Sequence, residues 1–350
     1  MKPRGSMVTI ILRIRRLTLV LLVGLISFCS ASTLAKSMEQ YPYFEHDGHR
    51  LAAYFKSPDD KDDVKGVVLF VSGDGATPYD AHGYYDAIWQ VFLDAGYAVF
   101  SWDKPGVGES SGNWLEQSMF DRQNEVRAAI DFVKHNYRKE AKTIGLMGFS
   151  QAGWVVPALM QNNPEVSFMV GVGYAINWLD QSWFMTETRL QRQGASAEIL
   201  KQEQAKFQQE RAFWQSNPNY DAYVRLFLNN EQAIDKERFE FIKKNVLSDA
   251  TQDYVGLTQP MLILLGENDE HVDGKQTFNT LTSLYRGQSN ATIKMIPSAT
   301  HALLKYPNVD SQTNGIVLLA KLWLLGDSLY APDFFGSLSS WLEALDQQGK

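Results

Sequence analysis

Hydrophobic and polar positions change period along this chain, and each change marks an element. The runs "GVVLFVSG", "AVFSWD", "TIGLMGFS", "VSFMVGVGYAI", "PMLILLGEN" and "ATIKMIPS" are short, nearly all apolar and rich in β-branched or aromatic residues, which predicts buried strands. Between them lie segments of helical period. In "FDRQNEVRAAIDFVKHNY", Val126, Ile130, Val133 and Tyr137 fall on one helical face. "YYDAIWQVFLDAGY", "QAGWVVPALMQ", "GKQTFNTLTSLY" and the C-terminal "SQTNGIVLLAKLWLLGDSLY" are also expected as helices. "YPYFEHDGHRLAAYFKSP" holds two extended runs about Asp47-Gly48, the pattern of a hairpin.

Short apolar strands alternating with amphipathic helices predict βαβ units, hence an α/β fold with a mainly parallel central sheet flanked by helices. Ligands of such sheets bind at the carboxyl ends of the strands. From Trp178 to about Tyr254 the alternation stops. "AEILKQEQAKFQQERAFW" has no Gly or Pro, and the segment shows no strand-like run. This predicts an inserted helical cap over residues 177–254, between core segments 36–176 and 255–350.

Residues 1–35 stand apart. Lys2, Arg4, Arg13, Arg15 and Arg16 precede "LTLVLLVGLISF", and the small residues of "CSASTLAK" follow, the order of a cleaved signal peptide. The apolar run falls short of the ~20 residues a spanning helix needs. A periplasmic or secreted protein is expected, with no stable membrane span after cleavage; an uncleaved membrane anchor is the alternative. Removing five basic and no acidic residues takes the formal charge from −7 to −12, which disfavours nucleic acid as a partner. Cys29, the single cysteine, leaves with the leader, so the mature chain has no disulfide and no thiol nucleophile or ligand.

Three residues then carry the candidate chemistry. Ser150 stands in "GLMGFSQAGW", directly after a strand and before a helix, with small Gly148 and Ala152 on either side. A strand-to-helix turn this tight strains one residue and lifts its side chain above the sheet. An N-capping serine is the plain alternative. Asp269 follows the strand "PMLILLG" by a few residues, with Glu267, Glu270 and Asp273 as rivals, and His301 follows "ATIKMI". Among the six histidines His271 is the nearest rival, but it shares the loop of the proposed acid. A serine needs a histidine to take its proton and a carboxylate to fix the histidine's tautomer.

The order Ser, Asp, His, each after a strand of one sheet, resembles the α/β-hydrolase family over nearly the whole mature chain. "FVSGDG" is similar to the family's oxyanion-hole loop, with Ser72-Gly73 where His-Gly often stands, and "DKPGVGESSG" resembles its D-x-R-G-x-G-x-S loop, with Lys104-Pro105 at the departing positions. The opening hairpin resembles secreted and peptidase-like branches. The resemblance implies an α/β-hydrolase fold and a serine hydrolase in which the backbone N–H groups of Asp74 and Gln151 hold the oxyanion. A carboxylate facing that oxyanion would oppose it, so the Asp74 side chain must point away, and Gly75 is the fallback donor. No metal or organic cofactor is implied. The expected partner is a small acyl substrate or a peptide. Trp178, Trp183, Phe184, Phe207, Phe213, Trp214, Tyr220, Tyr223 and Phe227 line an apolar acyl site or form the cap's own core, with equal weight. A carboxylesterase is the first reading. A secreted peptidase or aminopeptidase, reading free N-termini with cap acids such as Glu187 or Glu210, is the second, and a non-catalytic binding protein on the same fold is the third.

Overall fold

A computed structural model describes residues 39–59, 64–227 and 234–348 of the chain. The predicted leader and Cys29 lie outside the described residues. The strands are β1 (Glu39–Gln40), β2 (Tyr43–His46), β3 (His49–Lys56), β4 (Gly66–Val71), β5 (Tyr97–Trp102), β6 (Ile144–Phe149), β7 (Val166–Val172), β8 (Met261–Gly266) and β9 (Ala291–Ile296). They join in the order β1-β3-β5-β4-β6-β7-β8-β9, with β2 paired to β3. From β5 to β9 every pairing is parallel, and β1, β2 and β3 add antiparallel strands at one edge. The β2–β3 hairpin turns on Asp47 (φ 49°) and Gly48 (φ 73°), the two positive angles a two-residue turn of this hand requires.

Alternation along the strands divides the core into two layers. Val67, Leu69 and Val71 of β4 pack with Val126, Ile130 and Val133 of α2 (Met119–Asn136). Val68 and Phe70 face the other way, onto Ile88 and Phe92 of α1 (Asp86–Asp94) and Phe334, Leu338 and Leu342 of the C-terminal helix. Such strands read as continuous apolar runs because both faces are covered. Tyr137, fourth member of the predicted α2 stripe, stacks on Phe55 of β3 at 3.7 Å between ring centroids.

Strand order reverses at β4: β5 lies on one side of it and β6 on the other. In open α/β sheets this switch point opens a crevice beyond the strand ends. The loop after β4 and the turn after β6 meet there.

Two helices differ from the sequence expectation. After Ser150 the chain first makes a 3-10 turn, Ser150–Trp154, and α3 spans only Val156–Gln161. Pro157 supplies the reason: it has no N–H to continue an earlier helix and suits a first turn. At the other end, the helical C-terminal segment divides into α9 (Gly315–Leu325), a 3-10 turn over Gly326–Leu329 and α10 (Pro332–Gln348). Between β7 and β8 the described residues form α4 (Trp178–Arg192), α5 (Ala197–Gln215), α6 (Tyr220–Phe227) and α7 (Lys236–Asn245), capped at their N-termini by Asn177 on α4, Ser196 on α5 and Asp235 on α7. α8 (Gly274–Leu284) follows β8. On α9, Ile316, Leu324 and Trp323 are exposed, the last at 85%. Among the described residues no helix is long and apolar enough to cross a membrane.

Candidate active site

Ser150 has φ +50°, a left-handed conformation uncommon for a residue with a side chain. Its neighbours explain how the turn is held. A Cβ on Gly148 would stand 2.0 Å from the Tyr174 hydroxyl oxygen, and one on Gly153 would stand 2.9 Å from the Tyr174 ring. The buried Tyr174, just past β7, therefore packs where larger side chains would block it, and the turn closes on top of it. The glycine that stands one place late in the motif thus has its own contact.

The loop after β4 lies directly against this turn. A Cβ on Gly73 would be 3.3 Å from the Ser150 Cβ. Buried cations grip the loop's other side. Arg122 of α2 donates to the Ser72 carbonyl at 2.5 Å and to Gln151 Oε1 at 2.8 Å. Lys104 Nζ donates to the Gly73 carbonyl at 2.5 Å. Burial, with the Arg122 charge beside it, pushes the Lys104 ammonium well below the usual lysine range, against the pull of Asp74 and Glu125. The Asp74 carboxylate accepts from Gln151 Nε2 at 3.1 Å and, at 3.2 and 2.6 Å, from the two guanidinium NH groups of Arg238 on α7. Burial raises its pKa, but the Arg238 hydrogen bond and charge, with Lys104, hold it below the usual 3.8. The backbone of Gly75, the fallback donor, adds a smaller effect in the same direction.

Asp269 and His301 meet at the ends of β8 and β9. His301 Nδ1 lies 2.7 Å from Asp269 Oδ2, and the carboxylate's Oδ1 accepts the backbone N–H groups of His271 at 2.7 Å and Val272 at 2.8 Å. An ionised carboxylate only accepts, so Nδ1 carries the proton and Nε2 is left as a base. Burial disfavours the imidazolium, yet the charge and hydrogen bond of Asp269 outweigh it, and the His301 pKa stands above 6.5. A Cβ on Gly173, at the end of β7, would stand 2.9 Å from the His301 ring. The ring thus lies over the strand next to the one that ends at Ser150. No hydrogen bond links Ser150 Oγ to His301 among the described residues. Such contacts are often long until substrate is bound.

The rivals have other partners. Glu267 accepts the Ser298 N–H, Glu270 pairs with Arg192 at 2.5 Å, and Asp273 caps α8. The His271 ring is 5.3 Å from that of His301, and burial, then the His301 charge, lowers its pKa.

Beside His271 a hollow of about 430 Å³ opens between α4 and the Asp269 loop, lined by Ser182, Thr186, Arg189, Arg192, Glu270 and Ser311 among others. Phe207, Trp214 and Tyr223 are buried with Leu179 and Phe239 in a cluster formed by α4, α5, α6 and α7. A second cavity, about 260 Å³, lies between those aromatics and shares Ser182 with the first.

Sequence reading missed Arg122, Lys104 and Arg238. Arg122 had a signal: it stands four residues before Val126 on the apolar stripe of α2, where a charge needs a buried partner. Lys104, next to a buried strand, had a weaker one. Arg238 is one of many charges on its helix and had none.

The comparisons with known proteins agree with this architecture. Residues 62–308 match the model of the family described as serine aminopeptidase, S33. No curated protein matches the sequence. Among solved structures, the chain is similar to the esterase Pf2001 of Pyrococcus furiosus in two crystal forms. Identity is 14% in both. TM-scores are 0.54 and 0.55, over 88% and 89% of this chain and 90% and 92% of the esterase. At that identity the likeness concerns the fold. The chain has the α/β-hydrolase fold and belongs to the serine aminopeptidase S33 family.

Proposed function

We propose that this chain is a serine hydrolase, a carboxylesterase, in which Ser150 is the nucleophile, His301 the base and Asp269 the residue that orients it. The observation that carries the reading is the Asp269–His301 hydrogen bond, 2.7 Å long, standing one strand from a serine at φ +50°. Ser150 attacks the acyl carbonyl while His301 Nε2 takes its proton. Asp269 stabilises the imidazolium. The Asp74 and Gln151 N–H groups hold the oxyanion, and water then releases the acyl group through the same histidine. Binding of the Asp74 carboxylate by Arg238 supports this assignment, since its charge is drawn toward the insertion and neutralised there.

The 177–254 insertion serves as a cap, and the substrate occupies the hollow beneath α4. An ester is favoured because Glu270, the carboxylate that lines that hollow among the described residues, is already paired with Arg192, and Glu210, which lines the neighbouring cavity, accepts from Trp214 Nε1 at 3.2 Å. The cavity next to it, lined by Leu179, Phe207, Ile242 and Val246 as well as Glu210, has side chains that suit an acyl chain. Aminopeptidase activity is the second reading, favoured by the family match. Residues 1–35 support export, and a periplasmic or secreted location goes with them. Turnover of p-nitrophenyl esters and aminoacyl anilides, measured side by side, separates the two readings. Ester hydrolysis lost in Ser150→Ala is expected. Anilide cleavage without esterase activity establishes the peptidase instead.

A further inference from the structure

The buried cations behind the Ser72–Asp74 turn fix the direction in which its amides face. The Lys104 side chain is 2% exposed, and its Nζ holds the Gly73 carbonyl at 2.5 Å. Among the described residues the only cis peptide bond is Tyr306–Pro307, so the Gly73–Asp74 bond is trans. In a planar trans peptide the C=O and N–H point in opposite directions. With its carbonyl drawn to Lys104, this peptide turns the Asp74 N–H the other way, and among the described residues no backbone hydrogen bond engages that N–H. Gly73 itself packs against Ser150.

The choice of lysine is costly on stability grounds alone. A buried ammonium loses its hydration, and an apolar side chain of similar size would fill the same space without that loss. Among the described residues the Lys104 Nζ pairs with no carboxylate: its partners are the Gly73 carbonyl and the face of Trp114, at 5.1 Å from the ring centroid. What it supplies is a fixed direction for one peptide. Glycine on one side leaves that peptide free to rotate. A flip would bring an oxygen, in place of an N–H, toward the position where negative charge develops.

We propose that Lys104 is a positioning residue of the oxyanion hole: by holding the Gly73 carbonyl it aims the Asp74 N–H at the oxyanion formed on attack by Ser150. The proposal rests on the reading of Ser150 as nucleophile. Arg122 shares the task through the Ser72 carbonyl and the Gln151 side chain, which links both donor residues to one guanidinium.

The test compares the wild-type chain with Lys104→Met and Lys104→Arg. Three quantities are read: kcat and KM for a p-nitrophenyl ester, affinity for a trifluoromethyl ketone that forms an oxyanion on the serine, and affinity for the matching alcohol, which forms none. Removing one oxyanion donor costs about 10²–10³ in kcat, so Lys104→Met is expected to lose roughly ten- to a hundredfold for a donor left in place but misdirected. KM and alcohol affinity stay near wild type, ketone affinity falls in step with kcat, and Lys104→Arg recovers part of both. If Lys104→Met does not fold, Lys104→Gln takes its place. A folded variant with wild-type kcat and ketone affinity overturns the proposal. So does a parallel loss of ketone and alcohol affinity, the mark of a merely structural lysine. A wild-type chain that neither hydrolyses esters nor binds the ketone contradicts the Ser150 reading itself, and the proposal falls with it.

Discussion

Asp74 and Arg238, separated by 164 residues in sequence, form an ion pair with a shortest distance of 2.6 Å. One stands on the loop after β4, against Ser150. The other stands on the last helix of the insertion. Arg238 also lies over the Phe241 ring at 4.8 Å, which keeps its guanidinium in place. The insertion is therefore tied to the loop that carries the proposed oxyanion donor.

Removing Arg238 from that tie should affect activity more than stability. Both side chains are partly exposed, at 29% and 40%, and such pairs contribute at most about 1 kcal/mol. Arg238→Met is expected to lower unfolding free energy by no more than that in urea titrations. It should reduce kcat/KM by about tenfold or more, because the Asp74 carboxylate is then left unneutralised beside the proposed oxyanion, and each 1.36 kcal/mol lost at the transition state is tenfold in rate. Asp74→Asn breaks the same pair but keeps the N–H and leaves no charge to neutralise, so it should retain most activity.

The pH dependence of turnover follows from His301. The proposed base, His301, must be neutral to accept a proton, and Asp269 holds its pKa above 6.5. kcat/KM should thus rise with pH through a single ionisation above 6.5. Asp269→Asn removes the charge that stabilises the imidazolium, so the midpoint should move down. The maximal rate should also fall by about 10⁴, the order seen when a triad histidine takes the wrong tautomer. The linked stability has the opposite sense: a histidine raised in the folded state adds stability that is fully present below its unfolded pKa and is lost as pH rises through the folded one. Thermal unfolding followed against pH in wild type and His301→Ala reads that term.

Tyr174 and Gly148 give a packing prediction at the same turn. The Tyr174 hydroxyl is buried and has no hydrogen-bond partner among the described residues. Tyr174→Phe should leave stability unchanged or raise it, because an unsatisfied buried hydroxyl is costly. Gly148→Ala should cost about 1–3 kcal/mol by overpacking against that hydroxyl. The double variant should regain part of the loss, and chemical denaturation of all three measures the coupling.

On α9 the exposed face predicts indifference. Trp323 and Leu324 are 85% and 69% exposed, so Trp323→Ser and Leu324→Ser bury nothing less than before. Unfolding free energies should stay within about 0.5 kcal/mol of wild type. Solubility, measured by the concentration at which the protein precipitates, should increase.

Strands and their alternation with helices were legible because burial on both sheet faces writes an unbroken apolar run, as in "VVLFV" and "MLILL". Ser150, Asp269 and His301 could be singled out because each follows such a run. The Asp269–His301 contact could not be read directly, since it joins two loops whose approach is set by the β8–β9 register. Lys104, Arg122 and Arg238 were illegible as a group. They come from a loop and two different helices, and only the fold brings three cations to one turn. The 3-10 turn after Ser150 was missed because a helical period continues through it. Pro157 was the available sign of where the α-helix proper begins.

The central claim is that Ser150 is a nucleophile activated by His301. Labelling the folded chain with a fluorophosphonate probe and locating the adduct by peptide mass spectrometry tests it most directly. A single adduct on Ser150, absent in Ser150→Ala and strongly slowed in His301→Ala, is the expected result. A folded chain that takes up no label, or takes it at another serine, contradicts the claim.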